Sequence, residues 1–419
     1  MGPPGVSTPM ALIEEAHKAA RILLDHAYVR IVARAEPDAT CAAALLAHAL
    51  RRENVDFHVS WTRRLDDAAV RGLREERPDC LVTVGLSDDA APHDDVAGRR
   101  LALDAVAPAA GAEAAVHGDA ALASLAHLVA AGISRRNVDL APLAVAGALA
   151  AWRHVGARQA DDPSGRAAGF RGLDAEILQE GLDARIMLRE PALALHGSSL
   201  LAALSQMDAP FVAGVTGRAR NAKKLLADLG LAADASPGAL AEKASEELGD
   251  FLALRLLQQH APDAAFDALF RPALRGLQGP HTGMECGEMA LRVEAACAAA
   301  RCGLGFAALW PDAAAGAEVE GLAHSFREEL VAALLRAERD AKREGNLFVA
   351  EAPRAALCRP LADRLAASLA PVGCTTVVHA PDGDAAYVAT RAWGAHAKAT
   401  HAWAPDASRA LKTLGEAVA

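Results

Sequence analysis

Tyr28-Val29-Arg30-Ile31-Val32-Ala33, running on into Arg34-Ala35-Glu36-Pro37-Asp38-Ala39-Thr40-Cys41, is the stretch that decides the fold. The first six residues are a β-rich run, and residues 39–52 then take up helical periodicity. A helical segment at 11–26 precedes this pair. On the other side come a strand at 55–61, a helix at 66–77, and strands at 80–86 and 100–104. Helices at 120–131 and 140–152 complete the layer. Strands alternating with helices of this length predict an α/β protein built on a doubly wound, mostly parallel sheet.

Farther along, the β signal fades between Leu173 and Phe270. Residues 221–229 and 239–259 are amphipathic, and Ser236-Pro237 opens the latter as an N-cap followed by Pro does. After His281 the pattern predicts a helix at 286–301, a strand near 305–309, a helix at 319–343 and a strand at 347–350. A helix at 360–369 and strands at 374–379 and 386–390 follow, as a second, smaller α/β unit. The expected domains are therefore 1–160, a helical connecting region at 161–280, and 281–419.

The composition narrows the function classes. A chain of 419 residues exceeds the size at which a single core stops growing, and its formal charge of −10 argues against a protein that coats nucleic acid through its overall field. Ala fills roughly a quarter of the sequence while Phe, Trp and Tyr number only 9, 5 and 2, which predicts helices packed closely on small side chains. Charged residues interrupt every apolar stretch before it reaches ~18–20 residues, so no transmembrane helix is predicted. The N-terminus lacks the basic flank and apolar core of a secretory signal, and the expected location is cytoplasmic. The seven Cys are scattered without C-x-x-C pairs, which predicts buried, reduced thiols rather than a structural zinc site.

Chemistry in open parallel sheets collects at the carboxyl ends of the strands. Here those ends read Arg34-Ala35-Glu36-Pro37-Asp38-Ala39, Val84-Gly85-Leu86-Ser87-Asp88-Asp89 and Leu103-Asp104-Ala105-Val106. A fourth stretch, Asn137-Val138-Asp139-Leu140-Ala141-Pro142-Leu143-Ala144-Val145, leads to Ala151. In order and surroundings these segments resemble the DHH phosphoesterase superfamily, specifically the archaeal RecJ-like proteins, across nearly the whole chain. The segments Leu173 to Gly181, Pro210 to Gly217 and Met284 to Gly305 resemble the same family. The resemblance implies a DHH-type doubly wound sheet, a helical middle region, and a smaller α/β DHH-associated domain, here truncated.

The family's first motif, H-x-D-x-D-G, falls on Arg34, Glu36, Asp38 and Ala39; the Asp of the second falls on Gly85; the third, Asp-His-His, is Asp104-Ala105-Val106; and the Asp of the fourth is Ala151. By that resemblance these slots would hold two Mn²⁺ or Mg²⁺ ions that activate water against a phosphodiester. Two such ions ~4 Å apart repel by roughly 17 kcal/mol at an effective dielectric of about 20, so several anionic ligands are required. Asp38 and Asp104 are kept, Glu36 is a lengthened substitute, and Gly85, Ala105 and Ala151 offer no ligand. Arg34 adds a fixed positive charge where an imidazole would bind metal. The expectation is a degenerate site with no metal and no catalytic residue, in which Arg34 replaces the cations and pairs with Glu36, Asp38 or Asp104. Asp38 as the N-cap of the helix beginning at Ala39 is an equal reading.

In the C-terminal domain the family's G-G-G-H loop, which holds single-stranded nucleic acid, falls on Trp393-Gly394-Ala395-His396. His396 and Gly394, with the basic cluster of Arg218, Arg220, Lys223 and Lys224, are the candidates for weak nucleic-acid contact; a solvated helix face is the plainer reading of that cluster. Trp393 and Trp403 would stack bases or pack in a core. Relatives that lost catalytic residues include the cell-division-cycle subunit of the replicative helicase, which binds the GINS complex and the MCM ring. The resemblance therefore implies a catalytically inactive replisome scaffold with GINS and MCM as partners, no cofactor and no membrane association. The alternative is an active metal-dependent single-stranded exonuclease or phosphodiesterase using other ligands, such as His117 or Asp119. No dinucleotide or Walker A fingerprint supports a nucleotide-binding enzyme.

Overall fold

The computed structural model describes residues 9–86, 98–105, 112–154, 169–190, 193–310, 312–382, 385–391 and 399–404. Its contacts divide the chain into two compact units, Met1–Glu190 with Leu274–Ala323, and Pro191–Ala273 with His324–Ala419.

The first unit opens with α1 (Pro9–Leu24), β1 (Tyr28–Arg34), α2 (Pro37–Arg52), β2 (Asp56–Thr62) and α3 (Asp67–Glu76). It continues with β3 (Cys80–Val84), β4 (Arg99–Asp104), β5 (Ala114–His117), α4 (Leu122–Ile133), α5 (Ala141–Ala150), α6 (Gly172–Asp183) and β6 (Met187–Glu190). Five strands form one parallel sheet in the order β2-β1-β3-β4-β5. The sheet is wound on both faces, as the alternation of strands and helices predicts. Val29, Ile31 and Ala33 of β1 enter a large core with α1, α2, α4 and α5, while Val32, from the opposite side of the strand, joins Val70 and Leu73 of α3. The period of two along β1 sets this division, and it places Arg30 and Arg34 on the side of Val32.

The Ala-rich composition has its effect between the helices. Burying a Leu stabilises by roughly 1.5–3 kcal/mol and Ala by much less, so an Ala-rich layer gains through close approach rather than through apolar area. Gly147 of α5 makes the case: a Cβ there would lie 2.3 Å from the Cβ of Ala123 on α4 and 2.9 Å from Oδ1 of Asp38. Three helices meet at a point that admits no side chain.

The second unit begins with α7 (Leu200–Ser205), α8 (Ala219–Asp228), α9 (Glu242–Gln258) and α10 (Asp263–Leu269), which share a core of Leu200, Leu204, Leu226, Leu248, Leu252 and Leu256 among others. The chain then returns to the first unit with β7 (Ala273–Gly276), which pairs with β6, followed by α11 (Cys286–Ala298) and α12 (Cys302–Ala308). A long helix, α13 (Ala313–Asp340), leads to β8 (Lys342–Glu344), β9 (Leu347–Glu351), α14 (Cys358–Ser368), β10 (Thr375–Asp382), β11 (Ala385–Arg391) and β12 (Ala399–Ala404). These strands form a mixed sheet in the order β12-β11-β10-β9-β8. Among the described residues no helix is long and apolar enough to cross a membrane.

Several elements differ from the sequence reading. The run near 305–309 is not a strand but lies in and just after α12, because Gly305 packs against Ala296 of α11 and a short apolar run does not by itself distinguish strand from buried helix. Ser236-Pro237 opens only a single 3₁₀ turn, Pro237–Ala239, before α9. Within the stretch expected to be helical, Met187–Glu190 is a strand. α2 starts two residues earlier than expected, with Pro37 at its first position.

Candidate functional site

Arg34, Gly85 and Asp104 stand at the carboxyl ends of β1, β3 and β4, neighbouring strands of the parallel sheet, whereas Ala151 closes α5. At the end of β1 the chain turns in extended backbone at Glu36, which is the N-cap of α2 with no side-chain capping bond. Asp38 therefore lies inside the first turn of α2 and is not the N-cap of its own helix. Its side chain instead reaches α4. Oδ2 accepts from the Leu122 N–H at 2.8 Å and Oδ1 from the Ala123 N–H at 3.0 Å.

That contact answers a need of α4. The residue preceding it is Ala121, which has no side chain with which to cap, and the first turn contains no acid. Buried N–H groups at a helix start require acceptors, and a carboxylate also complements the positive end of the helix dipole. Asp38 supplies two acceptors, and Asp174 of α6 supplies a third by accepting from the Ala121 N–H at 3.0 Å. Arg153 donates through Nε to the other oxygen of Asp174 at 2.9 Å and through Nη1 to Asp119 at 2.8 Å. At the far end of α4, Asn137 donates through Nδ2 to the Ala130 carbonyl at 2.8 Å. Asp139 holds Arg52 through two bonds of 2.6 and 2.8 Å. The fourth-motif stretch is thus tied to the ends of α4 and α2.

Gly85 follows β3 with a φ of +71°, a conformation that favours glycine. A Cβ at this position would lie 2.8 Å from Cδ1 of Leu122 and 3.5 Å from Cβ of Arg34, so the space in which a side chain would begin is filled. The Arg34 guanidinium donates through Nε to the Gly85 carbonyl, and Arg34 is itself buried. Asp104 is buried at the end of β4, beside His117 in register. Ala105 is exposed, and Ala151 is the half-buried C-cap of α5.

These residues do not fit the pair of divalent ions that the motif order implies. Both oxygens of Asp38 accept backbone N–H groups, the slot at 85 is filled by Leu122, and a guanidinium stands on the Gly85 carbonyl. Among the described residues, no three His, Cys, Asp or Glu side chains come together as a metal site. His117 contacts the Ala115 carbonyl through Nδ1, and Asp119 is paired with Arg153. The sequence reading missed Asp174 and Arg153. Asp174 lies in the Leu173 to Gly181 segment, but only the bare Ala121 ahead of an apolar helix signals that an acceptor must come from elsewhere.

The other candidates lie in the second unit. Arg218 is the N-cap residue of α8, 3.7 Å from Glu338, and Arg220, Lys223 and Lys224 are exposed along the helix. Trp403 falls in β12. Ser87, Asp88, Asp89, Val106, Trp393, Gly394, Ala395 and His396 lie outside the described residues.

Neither a protein-family model nor a curated protein sequence matches the chain. Solved structures do. CDC45 from Entamoeba histolytica is similar at a TM-score of 0.55 and 9% identity, covering 91% of this chain and 87% of that one. RecJ from Thermus thermophilus in complex with Mn²⁺ has a TM-score of 0.49 and 15% identity, over 94% of this chain and 49% of that one. The chain thus spans about half the length of that RecJ. A manganese-bound exonuclease RecJ has a TM-score of 0.49 and 16% identity over 94% and 85% of the two chains. Two compact units, the first built on a parallel sheet in the order β2-β1-β3-β4-β5, give this chain an α/β fold similar to that of CDC45.

Proposed function

We propose that this chain is a catalytically inactive RecJ-like DHH protein that acts as a cytoplasmic replisome scaffold, with the GINS complex and the MCM helicase as partners. The observation that carries the first half is Asp38: the retained carboxylate of the first motif has both oxygens on the N–H groups of Leu122 and Ala123. Those two charge-assisted hydrogen bonds tie the carboxylate to the start of α4 and give it a structural task. Arg34 supports the same reading, since its buried guanidinium, donating to the Gly85 carbonyl, puts a fixed cation beside the motif positions. The likeness in fold to CDC45 supports a partner of the replication-helicase kind.

Two experiments test the halves separately. Affinity purification from the native cell, read by mass spectrometry, is expected to recover GINS or MCM subunits; their repeated absence overturns the scaffold assignment. A nuclease assay on single-stranded DNA with Mn²⁺ is expected to show no cleavage. Turnover at a rate set by Mn²⁺ concentration overturns the loss of catalysis and favours an active exonuclease with altered ligands.

A further inference from the structure

The two edges of the parallel sheet in the first unit are finished differently. At one edge, Glu15 of α1 reaches β5 and accepts from the Ala115 N–H at 3.3 Å. The other edge is β2, which pairs with β1 alone among the described strands. Asp56 donates its N–H to the Ala27 carbonyl at 3.0 Å, and the Thr62 carbonyl accepts from the Ala35 N–H at 2.8 Å. The main-chain groups of Asp56, His58, Ser60 and Thr62 therefore turn toward β1, and those of Phe57, Val59 and Trp61 turn outward. Edge strands are usually blunted by charge, Pro, a bulge or brevity, as β8 is with its three residues Lys342-Arg343-Glu344. β2 instead keeps seven residues in unbroken register with β1, holds no Lys, Pro or Gly, and has none of its residues buried.

This edge is complementary to itself. When two copies of β2 meet antiparallel about a twofold axis at Val59, Phe57 comes opposite the partner's Trp61, and Val59 opposite the partner's Val59. Each such pair points its main-chain groups across the junction and exchanges both N–H···O bonds. Phe57, Val59 and Trp61 share one side-chain face, half-buried against the core, so the exposed parts of the rings also pair across the strands. The charges match in the same register. The strand starts at the exposed Asp56 and is followed by the exposed Arg63 and Arg64, so the acidic end of each copy meets the basic end of the other.

We infer that β2 is a self-association edge, through which two copies of this chain join their five-stranded sheets into one continuous sheet. The inference does not rest on the replisome assignment, because it uses neither the motif positions nor an outside partner.

The test is sedimentation equilibrium of the intact chain, which is expected to be a dimer at micromolar concentration. Arg64→Glu turns two symmetric, exposed ion pairs into like-charge contacts and is expected to raise the dimer Kd roughly tenfold. The double variant Asp56→Arg with Arg64→Glu restores the pairs with their signs exchanged, and is expected to return the Kd to the parent value. Val59→Pro removes an outward N–H and no bond to β1, and is expected to give a monomer with the far-UV circular dichroism of the parent. Should Val59→Pro fail to fold, the exposed charge variants carry the test. A parent that sediments as a monomer overturns the inference, as does a dimer that Arg64→Glu leaves unchanged or that the double variant fails to restore.

Discussion

The N-termini of α4 and α8 solve the same problem in opposite ways. Neither helix has a side-chain cap of its own, and neither has an acid in its first turn. α4 is buried, and its free N–H groups are met by carboxylates from distant points of the chain, Asp38 and Asp174. α8 starts at the surface with Arg218 at its N-cap and Arg220, Lys223 and Lys224 in water, where solvent serves the N–H groups. Burial is therefore what turns a carboxylate of the motif into a structural necessity. A charge at α8 is free to meet an outside ligand, while a charge at α4 already has its partners.

The largest effect that would break this comparison is at Asp38. Asp38→Ala leaves two buried N–H groups without acceptors, at about 1–3 kcal/mol each, so a total loss of about 4 kcal/mol is expected in denaturant unfolding. A loss below about 1 kcal/mol means that the α4 cap is dispensable.

Acid should act on the same helix. His127, on α4, and His48, on α2, are buried, and burial lowers the pKa of each from the ordinary 6.5 to about 4. Between those values the unfolded chain binds protons that the folded chain refuses, so stability is complete above about pH 6.5 and falls as pH drops toward 4. Each His contributes about 3 kcal/mol to that fall, and His127→Gln should remove its share of the slope in unfolding curves collected from pH 7 to pH 4.5.

Gly85→Ala comes next, with an expected loss of about 2 kcal/mol. A Cβ in that left-handed conformation is strained and meets Leu122 Cδ1 at 2.8 Å. At α8 almost no effect is expected: Arg220→Ala, Lys223→Ala and Lys224→Ala should each stay within about 0.5 kcal/mol of the parent. A larger loss at any of the three would show that α8 is held by its charges as α4 is.

The architecture of the first unit was readable because its signals are local. Tyr28 to Ala33 is a run rich in β-branched residues, and Ala39 onward has a helical period. The site was readable only in part, for a physical reason. The partners of Asp38 lie 84 and 85 residues away in sequence, and no local pattern links a first-motif carboxylate to the start of α4. The same holds for Gly85, whose side-chain space is filled from α4 by Leu122. The helix at 302–308 was misread as a strand because five apolar residues fit either period, and the close packing of Gly305 on α11 decides between them.

The most direct test of the central claim is a calorimetric titration of the intact chain with Mn²⁺ at pH 7.5, run beside Asp38→Asn. If the motif acids serve the fold, neither protein gives a saturable, stoichiometric heat. Saturable binding of two ions per chain in the parent, abolished in Asp38→Asn, would contradict the account.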